Sequence, residues 1–200
     1  NQSIGDWNVS SVRSMRGMFQ GNNEFNQPIG DWDVSSVTNF VNMFYAASSF
    51  NQPLGNWDTS KAMEMVNMFH NATDFNQDIN SWNVSSVRDM SKMFRGCNSF
   101  NQNLSSWQTA SVENLGNMFY EANVFNQDLS NWNVSKVVNM QDIFKDTALN
   151  AKNKGLIHST FSKNKNWPYD WSQYAVAPNS APTDLNATGP LAILENQPIG

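Results

Sequence analysis

Carboxylates and side-chain amides recur in this chain two residues apart, one on each side of a tryptophan, and that row is where its chemistry would lie. The pairs are Asp6/Asn8, Asp31/Asp33, Asn56/Asp58, Ser81/Asn83, Ser106/Gln108 and Asn131/Asn133. In an extended segment alternate side chains leave on opposite faces, so Trp32 and Val34 turn inward while Asp31 and Asp33 turn outward. The row is acidic at its N-terminal end and rich in amides and hydroxyls toward its C-terminal end. Carboxylates about 5 Å apart repel by about 1 kcal/mol in water, and more where partly buried. Three outcomes answer that repulsion. The row is a solvated polar face, or it meets a basic partner segment, or Asp31, Asp33 and Asp58 hold a hard cation such as calcium.

Catalysis finds little support. His70 stands where other repeats carry Gln20, Tyr45, Arg95 and Tyr120, a variable and exposed position. His158 is far from it in the chain, and Cys97 fills the slot of Ala47, Ala72 and Ala122, which reads as a small buried residue. No nucleophile–base set results, and the expectation is a protein that is not an enzyme. Methionines such as Met43, Met68, Met93 and Met118 repeat at inward positions and read as core filler rather than a metal box. Only 14% of residues are charged and the net charge is −5, which offers no basic face to a nucleic acid. No run approaches the roughly 20 apolar residues that cross a bilayer. Asn-x-Ser/Thr sequons at Asn8, Asn71, Asn83, Asn133 and Asn186 need no glycan, because three of them share a slot with Asp33 and Asp58.

The elements that position the row come from a repeat. Trp7, Trp32, Trp57, Trp82, Trp107 and Trp132 are spaced by 25 residues, and a fixed period of this size means stacked units. Ile29 to Ser35 alternates and predicts a strand, paired in parallel with its equivalents about 4.8 Å away. Val37, Phe40, Met43, Phe44 and Ala47 fall at helical spacing, with Ser35 and Ser36 as N-caps, and predict a short helix. Phe50 and its equivalents predict a buried spine. Asn26, Asn51, Asn76, Asn101 and Asn126 predict a ladder that satisfies backbone groups from tier to tier. The expected fold is therefore an α/β solenoid, with parallel strands on one side and short helices on the other.

The pattern W-x-V-S-x-V-x-x-M-x-x-M-F followed by F-N-Q-x-[IL] over residues 1–150 resembles the BspA-type leucine-rich repeat of bacterial surface proteins. The resemblance implies a right-handed leucine-rich-repeat solenoid, export to the cell surface, and a role in binding or adhesion. Residues 151–176 depart from the repeat and predict a C-terminal cap, with Trp167 and Trp171 laid over the last tier. A carbohydrate-stacking role for this pair is the rival reading. Ala177 to Thr183 is linker chemistry, and Leu185 to Gly200 resembles the first strand of a cadherin-like repeat, which implies a calcium-binding role for Glu195.

These readings converge on a non-enzymatic recognition or adhesion module, secreted to the cell surface, that binds protein or glycan along the outward row. A structural spacer is the first alternative. An ice-binding face is the second, although only Thr59 and Thr109 supply the threonines it needs. The chain opens at Asn1-Gln2 in mid-repeat, so further repeats are expected upstream, and the Ile4/Trp7/Val9 tier is a potential edge for self-association.

Overall fold

The computed structural model describes residues 3–175. The linker, the cadherin-like strand with Glu195, and the Asn186 sequon lie outside the described residues. Among the described residues there is one α-helix, α1 (Ala151–Phe161), and one three-residue 3₁₀ turn, Ser172–Tyr174. Residues 3–150 are turns and irregular chain, tied together by isolated parallel bridges that link Ser14, Asn39, Glu64, Asp89, Asn114 and Asn139 in succession. The α/β solenoid is therefore not the fold. Neither the strands nor the repeat helices that it requires are formed, and leucine-rich-repeat architecture goes with them.

The backbone shows why. Around Trp32 the extended stretch is too short to be a strand, because a turn closes it on each side. Trp32 N–H donates to the Ile29 carbonyl at 3.2 Å and Val37 N–H to the Val34 carbonyl at 2.8 Å. The alternation survives within this short stretch: Trp32 and Val34 are buried, while Asp31 and Asp33 are exposed.

In the expected helix the chain instead closes two successive four-residue turns. Met43 N–H donates to the Phe40 carbonyl at 3.1 Å, and Ala47 N–H to the Phe44 carbonyl at 3.0 Å. The third residue of each, Asn42 (φ 58°) and Ala46 (φ 56°), is left-handed, as that class of turn demands. The same two positions are left-handed in every unit: Gly17/Gly21, Asn67/Asn71, Lys92/Gly96, Asn117/Glu121 and Asp142/Asp146. Gly, Asn and Asp dominate because they tolerate this conformation best. A helix cannot pass through two such residues per unit.

Turning the chain this way frees alternate N–H groups to cross to the next unit. Phe40, Asn42, Phe44 and Ala46 donate to the carbonyls of Glu64, Val66, Met68 and His70 at 2.7–3.0 Å, each 24 residues ahead. Each unit is thus one coil of a tiered stack. Val37, Phe40, Met43, Phe44 and Ala47 are all buried, as their spacing predicts. Four-residue turns put i and i+4 on one side, as a helix does, so the apolar pattern is met by a different backbone.

Aromatic columns fill the stack. Phe19, Phe44, Phe69, Phe94, Phe119 and Phe144 follow one another with ring centroids 5.4–5.8 Å apart. Each of the first five also stacks on the Phe-Asn-Gln phenylalanine of its own coil at 3.8–4.1 Å. Such offset stacks add to the burial term. The indole N–H groups of Trp57, Trp82, Trp107 and Trp132 each donate to a carbonyl one coil back, at 2.9–3.1 Å. The asparagine ladder is present: Asn51 Oδ1 accepts from Asn76 N–H at 3.0 Å and from Gln77 Nε2 at 2.8 Å, with equivalents along the stack.

The last coil has no further coil's groups to pair with, and the C-terminal segment supplies partners for some of its donors and acceptors. Tyr169 takes the place of the next coil's carbonyl, its hydroxyl accepting from Phe144 N–H at 3.0 Å. Asn164 Nδ2 donates to the Val134 and Val137 carbonyls. Asn150 caps α1 by accepting from Asn153 N–H, and the Asn153 amide continues the ladder by donating to Asn126 Oδ1 at 3.0 Å. A Cβ at Gly155 would collide with the Tyr174 carbonyl, so this position must be glycine for α1 to seat against the closing turn.

Ala46→Gly tests the backbone by its sign. In a helix interior the change costs about 1 kcal/mol. At a left-handed position it relieves strain and should stabilise by roughly 0.5–1 kcal/mol net of the extra chain entropy. Urea denaturation of the two proteins should show the midpoint rising.

Candidate functional site

The outward row keeps its place. Asp6, Asn8, Asp31, Asp33, Asn56, Asp58, Ser81, Asn83, Ser106, Gln108, Asn131 and Asn133 are all exposed and lie along one side of the stack, beside the tryptophan column. The two members of each pair do different work. Oδ1 of Asn8, Asp33, Asp58, Asn83 and Asn133 accepts from the backbone N–H two residues on, at 2.9–3.2 Å, closing the turn after the tryptophan. That is an Asx turn, and it accounts for Asp and Asn interchanging at this slot. The first member (Asp6, Asp31, Asn56, Ser81, Ser106, Asn131) closes no such turn, and its identity varies; Ser81 Oγ donates to the Gly55 carbonyl at 2.8 Å and Ser106 Oγ accepts from Asn80 Nδ2 at 3.0 Å.

Three hollows open on this side. The largest, about 600 Å³, is bounded by Ser81, Asn83, Ser106 and Gln108 with Asp78 and Asn80. A second, about 500 Å³, has Asp31 and Asn56 in its wall between Pro28 and Pro53. The third, about 430 Å³, joins Asn131 and Asn133 to Thr160, Lys163 and Asn164 of the C-terminal segment. Those last three residues carried no signal in the sequence, because their contribution depends on how the segment folds back.

The structure does not gather Asp31, Asp33 and Asp58 into one cluster of ligands. Among the described residues no group of three or more His, Cys, Asp or Glu side chains could hold a metal ion. The Ser35 hydroxyl and then its N–H hold Asp33 below the usual carboxylate range, and Ser60 does the same for Asp58. These carboxylates serve turns. Glu195 lies outside the described residues.

Trp167 and Trp171 sit against the end of the stack. Trp167 meets Phe161 edge-on at 5.3 Å and donates its indole N–H to His158 Nδ1 at 3.1 Å, while Trp171 lies 5.9 Å from Phe144. Both are only half-buried, yet their faces are engaged by the core and by Tyr169.

Elsewhere the reactive groups are inert or apart. Cys97 is fully buried, its thiol pushed up by desolvation and donating to the Phe69 carbonyl at 2.8 Å. His70 is half-buried rather than exposed, edge-on to Tyr45 at 4.8 Å. Burial, then the charges of Arg95 and Lys92, push its pKa down to about 4. Among the described residues no helix is long and apolar enough to cross a membrane.

Residues 1–79 and 53–159 match, in two overlapping segments, the family described as Mycoplasma protein of unknown function, DUF285. The likeness to BspA-type leucine-rich repeats is corrected by this match and by the absence of strands from the coils among the described residues. Comparison with curated proteins and with solved structures finds no match.

His70 gives a pH signature. Its folded pKa lies below the unfolded value of 6.5, so the unfolded chain takes up the proton first and stability falls as pH drops from 6.5 through about 4. His70→Gln, copying Gln20 of the first coil, should reduce proton uptake on unfolding in that window by up to about one proton. Urea midpoints of both proteins at pH 7, 5.5 and 4 measure it. Parallel pH profiles would show that His70 is solvated.

Proposed function

The chain belongs to the DUF285 family, and from that premise we propose that it is a non-enzymatic recognition module, taking a protein or glycan ligand along the row beside the tryptophan column. The observation that carries this reading is the division of labour within each pair. In five of the six pairs one member is held by an Asx turn, and its neighbour varies on a surface with three hollows. A regular scaffold that fixes a row of exposed side chains while leaving their identity open is suited to recognition, because the surface can change without cost to the core.

The chemistry available favours binding over turnover. His70, His158 and Cys97 form no nucleophile–base set, and polar side chains dominate the rim of each hollow. Export and adhesion were implied by the leucine-rich-repeat resemblance and lose that support with it. The recognition reading rests on the row itself.

Glycan and peptide arrays probed with the purified chain, then with an Asn56→Arg/Gln108→Arg variant, test this. Both positions are exposed, so the variant should fold. A ligand should appear on the arrays, and the variant should bind it at least about 10-fold more weakly, about 1.4 kcal/mol. Absence of any ligand, or array binding indifferent both to these arginines and to Asn131→Arg at the other end of the row, would contradict the reading and favour a spacer.

A further inference from the structure

We infer that the end of the row nearest α1 is a site for an anionic saccharide, one whose charge is a carboxylate or a sulfate. This rests on the recognition reading and names the ligand class for one part of that surface.

Two hollows adjoin there, of about 430 and 370 Å³, sharing Ser135, Lys163 and Asn164. Their linings bring together Lys136, Lys163 and Lys165 and include no aspartate or glutamate. That runs against the composition of the chain, in which 17 acidic residues outnumber 12 basic ones. It also sets this end apart from the rest of the face, since the other two hollows are both walled by Asp78 and one of them also by Asp31. A local cationic field in an acidic protein concentrates anions at that point and repels them elsewhere.

The wall between the two hollows is pre-organised. Asn164 Nδ2 donates to the Val134 and Val137 carbonyls at 2.6 and 2.8 Å, and its Oδ1 accepts from Asn166 N–H at 2.8 Å. A wall fixed before the ligand arrives spares the entropy of ordering it. The first hollow is rimmed by amides and hydroxyls, and the Trp132 and Val134 side chains behind them are buried. Asn133 spends its Oδ1 on Ser135 N–H at 3.0 Å, so its NH₂ group is the one it can offer outward.

Ring hydroxyls match that rim, and the lysines match an acidic substituent. Two joined hollows of this size suit two or more sugar residues. A nucleic acid is the poorer fit. Its bases want exposed aromatic faces, yet Trp132 is 1% exposed and its indole N–H is held by the Leu104 carbonyl.

Calorimetry on the full chain at low salt tests the site with four probes: a sulfated heparin-type hexasaccharide, an oligogalacturonate, a neutral cello-oligosaccharide and a single-stranded oligonucleotide of similar charge. At least one acidic saccharide should bind ten-fold or more tightly than the neutral one, and which of the two does so identifies the anion. A Lys136→Gln/Lys163→Gln/Lys165→Gln variant, with an unchanged melting temperature, should lose at least ten-fold, whereas Asn56→Arg/Gln108→Arg should leave this binding in place. Equal binding of neutral and acidic sugars, indifference to the lysine substitutions, or an oligonucleotide bound as tightly would overturn the inference. If no acidic saccharide binds while the arrays yield a ligand that Asn56→Arg/Gln108→Arg blocks, this inference falls and the recognition reading stands.

Discussion

Every buried backbone N–H and carbonyl in this molecule must find a partner, and with no strands or helices in the coils among the described residues the partners lie in the coil's own turns or one coil away. The bond from an N–H to a carbonyl 24 residues ahead, made at every second residue of the turn-rich side, is the constraint on which the rest depends. It can be made only if the chain turns twice within eight residues, and those turns need left-handed residues at fixed places. Once the coils are held at that separation, rings of one coil fall directly on rings of the next. The phenylalanine columns and the carbonyl partners of the indoles follow from it. So does the cap, in which the Tyr169 hydroxyl and the Asn164 amide stand in for a coil that is not there.

Much of this was legible in the residues. The period, the inward tryptophans from Trp32 to Trp132, the phenylalanine spine, the Asn-Gln ladder and the buried Cys97 all follow from residue type and spacing, whereas Trp7 is exposed. The local backbone was not, for two physical reasons. Turns of four residues place i and i+4 together just as a helix does, so Phe40/Phe44 and Met43/Ala47 satisfy both. Asn42, Asn67 and Asn117 mark the left-handed positions, but Lys92 in the same slot, and Ala46 and Glu121 four residues further along, blur the signal. The alternation around Trp32 was real but spans too few residues to make a strand.

The site divides the same way. That the paired polar residues face outward could be read from alternation alone. That five of the six pairs commit one member to a turn emerges only from the structure, and this commitment is what weakens the calcium reading. Lys136, Lys163 and Lys165 could not be recognised as a group, because they come from the last coil and from chain folded back over it. The tryptophans from Trp32 to Trp132 are spent on the core, while Trp7 is exposed. In this DUF285 chain the recognition we propose falls to the variable polar residues beside them.

Backbone NMR directly measures the conformation at the repeated left-handed positions on which the stack depends. Three-bond and one-bond couplings with intraresidue HN–Hα cross-peaks report the sign of φ at Asn67, Lys92 and Asn117. The account predicts positive φ at all three, near 54–57°, with each flanked by residues of negative φ. Uniformly helical couplings and shifts from Val87 to Cys97 would contradict it.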